Sequence, residues 1–224
     1  MATPFIDPQI IRQKEIPNRL FRTFLLSLES VIGSEKMATV LRNAGLPQYI
    51  GNYPPENDQI GACKIGFYSH IDKAVLDLYG SRAGRSILDA TGRAQARQAT
   101  QAYGAVTNIV RLALGILPVK TKVGIIIDTI TRVSNEQTGF TNTLKQEGNT
   151  WFYDVPACSH CLDTPDDSTP CINNISTLLE LVDFFIPNVK LEMEEIECKA
   201  KGATTCRFRI MLPGEKTSQP VKPI

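Results

Sequence analysis

Residues 195–210, close to the carboxyl end, read "EIECKAKGATTCRFRI". This pattern predicts a β-strand, a turn at Gly202 and a second β-strand. Cys198 and Cys206 stand on either side of the turn, and Glu195 and Glu197 come just before the first thiol. A thiol at each end of one hairpin turn indicates that the two side chains serve a common purpose.

Composition sets the class of protein and excludes one class of partner. The chain has 224 residues, of which 42% are hydrophobic, as expected for a globular protein with a buried core. Lys and Arg total 24 against 23 for Asp and Glu, so the formal charge of +1 gives no field to hold nucleic acid. The amino end lacks a basic region followed by an apolar core, and no apolar run approaches the roughly 20 residues of a membrane span. We therefore expect a cytoplasmic protein.

The periodicity of the chain changes near residue 138. Helical spacing dominates residues 18–137, whereas residues 138–212 contain two strand pairs and one short helix. Helices followed by a small antiparallel sheet predict an α+β fold. We predict an extended arm over residues 1–17, a single domain over 18–212 and a flexible tail over 213–224.

One predicted helical stretch is rich in small residues. The segment "RAGRSILDATGRAQARQATQAYG" follows a helix that ends near Gly80, and it contains Gly84 and Gly92. Small residues on a helix face let a neighbouring helix approach closely, or leave room for a ligand. Close helix packing is the interpretation that the pattern favours.

Five of the six cysteines fall in two clusters near the carboxyl end. The first cluster, "PACSHCLDTPDDSTPC", holds Cys158, His160, Cys161 and Cys171, and the second is the hairpin with Cys198 and Cys206. In a reducing compartment such cysteines are metal ligands or inert core residues more often than disulfides. Zinc takes four ligands from Cys, His and carboxylate side chains, so the clusters together predict a zinc site, although a Cys-x-x-Cys also suits redox chemistry. Spacing alone leaves open which four residues bind.

A metal ion bound by the second cluster would impose a condition on the geometry of its first strand. Leu191 and Met193 share a strand face with Glu195, whereas Cys198 has the opposite parity. For Glu195 and Cys198 to meet one metal ion, the strand must bulge or end between them.

These residues resemble a known family. "CSHCLDTPDDSTPC", "LLELVDFF" and "EEIECKAKGATTCRFRI", with the upstream "LYGSRAGRSILDATGRAQAR", resemble the 4-vinyl reductase domain family. The similarity covers roughly residues 18–212, and about the last 55 of these are its specific part. It implies a fold similar to Golgi transport-complex subunits and haem-based nitric oxide sensors, in which helices enclose an apolar pocket against a twisted antiparallel sheet. The acidic loop "LDTPDDSTP" and the arm at 1–17 depart from the family pattern.

The resemblance also implies a ligand set for zinc. The family's motif positions correspond here to Cys171, Glu195, Cys198 and Cys206. Cys158 and Cys161 remain as a second pair, either redox-active or, with His160, a second metal site.

The resemblance implies a tetrapyrrole ligand, chlorophyll or a precursor, because the family is linked to bacteriochlorophyll synthesis. The chain lacks a strand, GxGxxG turn and helix for a hydride donor, so we expect no catalysis. His70 is a candidate ligand for the magnesium of a tetrapyrrole. The other candidate pocket residues are Phe67, Tyr68, Ile71, Tyr103, Val106, Ile109, Val110 and Leu114.

The implied role is that of a carrier or a factor in the assembly of photosynthetic complexes. We expect a homodimer, or a heterodimer with a related 4-vinyl-reductase-domain protein, and subunits of a photosynthetic membrane complex as partners at the cytoplasmic face of the thylakoid membrane. Two alternatives are an interaction module without a ligand and a component of a divinyl (proto)chlorophyllide 8-vinyl reductase. No segment matches an ATPase or a DNA-binding module.

Overall fold

The first part of the molecule is helical. A computed structural model of the chain describes residues 5–102, 114, 116–163 and 171–212. The helices before the sheet are α1 (Pro8–Gln13), α2 (Asn18–Ile32), α3 (Ser34–Asn43), α4 (Gly66–Ala102) and α5 (Val119–Thr138). Two short strands, β1 (Glu15–Ile16) and β2 (Cys63–Lys64), pair antiparallel between them.

The second part is a four-stranded antiparallel sheet with one helix. Its elements are β3 (Thr143–Glu147), β4 (Thr150–Val155), α6 (Ile172–Phe185), β5 (Glu192–Glu197) and β6 (Cys206–Met211). The strand order is β3-β4-β6-β5, so the last hairpin inserts β6 beside β4. This architecture confirms the predicted α+β class.

Buried apolar side chains form two clusters. The helical cluster centres on α2, α3 and the first half of α4, with Phe21, Phe24 and Ile71 fully buried. The sheet cluster centres on β4, β6 and α6, with Trp151 and Phe208 at its middle. All five carboxyl-terminal cysteines belong to the sheet cluster.

Helices α4 and α6 pack very closely, as the small residues of α4 predict. A Cβ atom on Gly92 would lie 2.5 Å from the carbonyl oxygen of Asn173 and 3.0 Å from the Cβ of Ser176. The helix is broken at Gly80, whose φ of 75° lies in the region that favours glycine. The predicted end of a helix near Gly80 is confirmed by this break.

The amino-terminal segment differs from the extended arm that we predicted. Asp7 accepts a hydrogen bond from the backbone N–H of Gln9, and Pro8 occupies the first turn of α1, so local signals start a helix here. Ile11 and Ile16 are fully buried, and the Arg12 guanidinium lies 2.8 Å from the Asp163 carboxylate. The segment is therefore part of the core.

Among the described residues, no helix combines the length and apolar character needed to cross a membrane.

Candidate functional site

Five thiols converge beneath the sheet. Cys158 and Cys161 lie in the loop after β4, Cys171 is the N-cap of α6, and Cys198 and Cys206 flank the β5–β6 turn. All five are buried and none forms a disulfide. The structure thus brings both sequence clusters to one place.

The distances between sulfur atoms suit a common metal. The Sγ–Sγ distances are 3.4 Å for Cys158–Cys171, 3.4 Å for Cys161–Cys206, 3.6 Å for Cys171–Cys206 and 4.0 Å for Cys198–Cys206. A zinc–sulfur bond of about 2.3 Å gives a tetrahedron whose edge is about 3.8 Å. The observed separations bracket this edge, so the thiols could ligate zinc with little movement.

The donor atoms fall into two sets of four. One set is Cys158, Cys161, Cys171 and Cys206, and the other is Cys171, Glu195, Cys198 and Cys206. Within each set the ligand atoms all lie within 4.8 Å of one another. The second set contains the four residues implied by the family resemblance. Cys171 and Cys206 belong to both sets.

Glu195 reaches the thiols because β5 is irregular. The β5–β6 register shifts between Glu195 and Glu197, which meets the condition that the strand bulge or end between Glu195 and Cys198 if both are to bind one metal ion. Glu195 Oε1 is buried without a hydrogen-bond partner among the described residues, and burial raises the pKa of this carboxyl to about 8. An unpartnered buried carboxylate oxygen is costly unless a cation compensates it. The carboxylate therefore fits a metal ligand.

The cluster also receives hydrogen bonds from outside. The backbone N–H of Lys199 donates to Cys206 Sγ over 3.4 Å, and Asn174 Nδ2 donates to Cys158 Sγ over 3.7 Å. Hydrogen bonds from neighbouring thiols, chiefly that of Cys161, lower the pKa of Cys158 and of Cys198. These two thiols are thus favoured as thiolates, the form that binds metal, whereas hydrogen bonds with neighbouring thiols, chiefly that of Cys158, raise the pKa of Cys161, Cys171 and Cys206.

His160 does not join the cysteines. Its Nδ1 lies 2.5 Å from Asp72 Oδ2 on α4, and its ring packs against Tyr68 and Phe24. Although burial favours the neutral ring, the Asp72 carboxylate raises the pKa of His160. The second metal site that we associated with Cys158, Cys161 and His160 therefore does not form as a separate group among the described residues.

A cavity lies between the helical part and the sheet, and His160 is in its wall. Its volume is about 250 Å³. Gln95 also lines the cavity, and its Oε1 is buried without a partner among the described residues. The wall further includes Leu20, Tyr68, Ile130, Phe140, Tyr153, Val155, Asn173, Thr177 and Leu178.

The predicted pocket residues are distributed differently. Tyr68 lines the cavity, whereas Phe67 and Ile71 pack in the helical cluster and Leu114 in the sheet cluster. The His70 side chain is 42% exposed, and its Nε2 lies 3.7 Å from Asp163 Oδ2. Four of these five therefore lie in the core or at the surface and not in the cavity wall. The remaining candidates lie outside the described residues: Tyr103, Val106, Ile109 and Val110.

Sequence reasoning missed most of the cavity wall, including Gln95 and His160. Gln95 stands in a helix rich in small residues and carries no signal of its own. His160 lies inside a Cys-x-x-Cys, and for that reason we counted it among the candidate metal ligands. Its partner Asp72 is 88 residues away, so no local pattern could have paired them.

No family model and no curated protein sequence matches this chain. Solved structures do match. A protein from a study of haem distortion in the H-NOX family has a TM-score of 0.57 at 10% identity, covering 92% of this chain and 100% of that one. The chain has the H-NOX fold. The I5F mutant of H-NOX from T. tengcongensis has a TM-score of 0.57 at 12% identity, over 88% of this chain and 98% of that one.

A third match is the unliganded Fe(II) H-NOX protein from K. algicida. Its TM-score is 0.54 at 14% identity, and the match covers 91% of this chain and 100% of that one. Identities this low show the shared H-NOX fold and nothing finer. Membership of the 4-vinyl reductase domain family stays a prediction.

Proposed function

We propose that the protein is a non-catalytic binding domain whose cavity holds an apolar small molecule of the tetrapyrrole class, such as chlorophyll or a precursor. It acts as a carrier or in the assembly of photosynthetic complexes. A zinc site fixes the carboxyl-terminal hairpin that forms one side of the domain.

The observation that carries the proposal is the His160–Asp72 pair in the cavity wall. With Nδ1 held by the Asp72 carboxylate, Nε2 has no hydrogen-bond partner among the described residues. A histidine that ligates a metal usually donates its other ring N–H to a carboxylate or carbonyl, which fixes the ring orientation. His160 is therefore suited to ligate the metal at the centre of a tetrapyrrole, the role that the sequence suggested for His70.

Two further observations support this assignment. Small-molecule pockets are mostly apolar with a few converging polar groups, and they span about 300–1,000 Å³. The cavity, at about 250 Å³, lies just below that range. The solved neighbours are H-NOX proteins, and one of them comes from a study of haem distortion. A tetrapyrrole would need the cavity to widen on binding.

The zinc proposal rests on the donor set. Three thiols and Glu195, whose Oε1 has no hydrogen-bond partner among the described residues, place their donor atoms within 4.8 Å of one another from three different segments of the chain. Such a site contributes directly to the free energy of folding.

The direct test is the absorbance spectrum of the protein purified from a pigment-producing host. Tetrapyrrole bands at near-stoichiometric yield support the proposal. A protein that stays colourless there, and that also fails to bind added haem or chlorophyll precursor, would overturn it.

A second candidate function is an interaction module without a ligand. It is favoured by large apolar side chains that are exposed at or near α5, with Ile116 at 92% and Val119, Ile125 and Val133 at 41–43%. A colourless protein that co-purifies with membrane-complex subunits or with a related domain would support this candidate instead.

A further inference from the structure

The thiol cluster contains more donors than one zinc ion can use. Zinc in a structural site takes four ligands, whereas five cysteines and Glu195 offer six donor atoms here. The family resemblance accounts for only four of them, and Cys158 and Cys161 are left over.

We infer that the six residues form a binuclear zinc site in which the Cys171 and Cys206 thiolates bridge two metal ions. The first ion is bound by Cys171, Glu195, Cys198 and Cys206, and the second by Cys158, Cys161 and the two bridging sulfurs. The inference deepens the proposed zinc site and rests on it.

The overlap between the two sets of four donor residues supports two metal ions. Two tetrahedra that share an edge need six donors, of which two are common to both. The cluster has this composition, because its two sets of four overlap in Cys171 and Cys206. The Sγ–Sγ distance of the shared pair, 3.6 Å, is close to the edge of about 3.8 Å expected for zinc–thiolate tetrahedra.

The surroundings of the leftover pair also support a second ion. Cys158 and Cys161 each lie 3.4 Å from one bridging sulfur, Cys158 from Cys171 and Cys161 from Cys206. The Asn174 amide donates to Cys158 Sγ, a contact that favours a thiolate over a neutral thiol. Ligands of a metal are commonly held by such outer hydrogen bonds.

Charge does not oppose the second ion. When zinc binds Cys158 and Cys161, each thiol loses its proton, and the two positive charges of the metal replace them. The net charge of the buried cluster is therefore the same with one zinc ion as with two. Both positions offer thiolate ligands, which select soft metals such as zinc. Zinc is therefore the expected metal at both positions.

The test is the zinc content of the full-length protein produced with ample zinc, measured by elemental analysis and by native mass spectrometry. We expect two zinc ions per chain in the wild type. The double variant Cys158→Ala/Cys161→Ala should retain one, and so should Glu195→Gln/Cys198→Ala. Cys63→Ala is the matched control, because Cys63 is buried in the helical cluster, and it should retain two.

The possible failures are distinguishable. A single zinc that survives the loss of Cys158 and Cys161 would overturn the second ion and leave the first proposed site intact. A single zinc that is lost with Cys158 and Cys161 but survives Glu195→Gln/Cys198→Ala would overturn both. A wild-type protein without zinc would also overturn both.

A measurement on the wild type alone covers the case in which the variants do not fold. The protein is stripped and titrated with cobalt(II), and its electron paramagnetic resonance signal is followed. Bridging thiolates couple the spins of the two cobalt ions. The signal should therefore rise until one equivalent of cobalt per chain has been added, and fall as the second equivalent is added. A signal that rises steadily to two equivalents would contradict the bridge.

Discussion

At the scale of single residues, the fold places the two histidines in different surroundings. His70 lies on the surface beside Asp163, whereas His160 is buried in the cavity wall with Asp72 behind it. The local sequence around His70 carries no signal, and the Cys-x-x-Cys around His160 pointed to a metal site instead of a cavity. Only the packing of the 158–163 loop against α4 distinguishes the candidate ligand from the surface residue.

Neighbouring isoleucines of α1 give a residue-scale prediction. Ile11 is fully buried, whereas Ile10 is 61% exposed. Ile11→Ala should lower the free energy of unfolding by about 2–5 kcal/mol, because it leaves a cavity in the helical cluster. Ile10→Ala should change it by less than about 0.5 kcal/mol. Denaturant unfolding of both variants measures the difference, and equal effects would show that residues 5–17 are a dispensable arm after all.

At the scale of elements, the contact between α4 and α6 aligns the two parts of the molecule. Gly92 lets the helices touch backbone to backbone, and Thr177 Oγ1 donates to the Gly92 carbonyl oxygen over 3.1 Å. Because α6 begins at Cys171, this contact also positions one of the shared thiols.

Gly92→Ala tests that contact. The added methyl would lie 2.5 Å from a backbone oxygen, so α6 must shift, and we expect a loss of about 1–3 kcal/mol. Gly124→Ala on α5 is the control, since its methyl would meet only Trp151 Nε1 at 3.4 Å. That variant should be neutral or slightly stabilising, because alanine favours a helix. Thermal unfolding that ranks the two variants the other way would refute the close contact.

Several elements could be predicted because their signals are local. Hydrophobic periodicity predicted the long helices and the two hairpins. A metal ion shared by Glu195 and Cys198 required the strand to bulge or end between them, and the register shift meets this condition. We predicted an extended arm because residues 1–17 contain three prolines. The structure instead has a six-residue helix there, and this helix buries Ile11. The cavity could not be predicted, since its wall combines side chains from segments far apart in sequence.

At the scale of the whole molecule, two apolar clusters meet at a cavity, and the thiol cluster lies within one of them. Removing the metal should therefore loosen the sheet part more than the helical part. The cavity wall formed by β4 and α6 would lose its support on one side.

Hydrogen exchange before and after chelation measures this difference. We expect faster exchange in β5 and β6 after zinc is removed, because Glu195, Cys198 and Cys206 lose their common ligand. Helices α2 and α3 lie in the other cluster and should keep their protection. A uniform increase over the whole chain, or no increase in the sheet, would contradict a metal that fastens the carboxyl-terminal hairpin.

The most direct test of the central claim is a titration of the zinc-loaded protein with haem, followed by absorbance. We predict saturation at one haem per chain. His160→Ala should lower the affinity at least tenfold, which corresponds to a loss of about 1.4 kcal/mol of binding free energy. His70→Ala should leave the affinity unchanged. Absence of saturable binding, or equal affinities in the wild type and both variants, would contradict the proposal that this cavity holds a tetrapyrrole through His160.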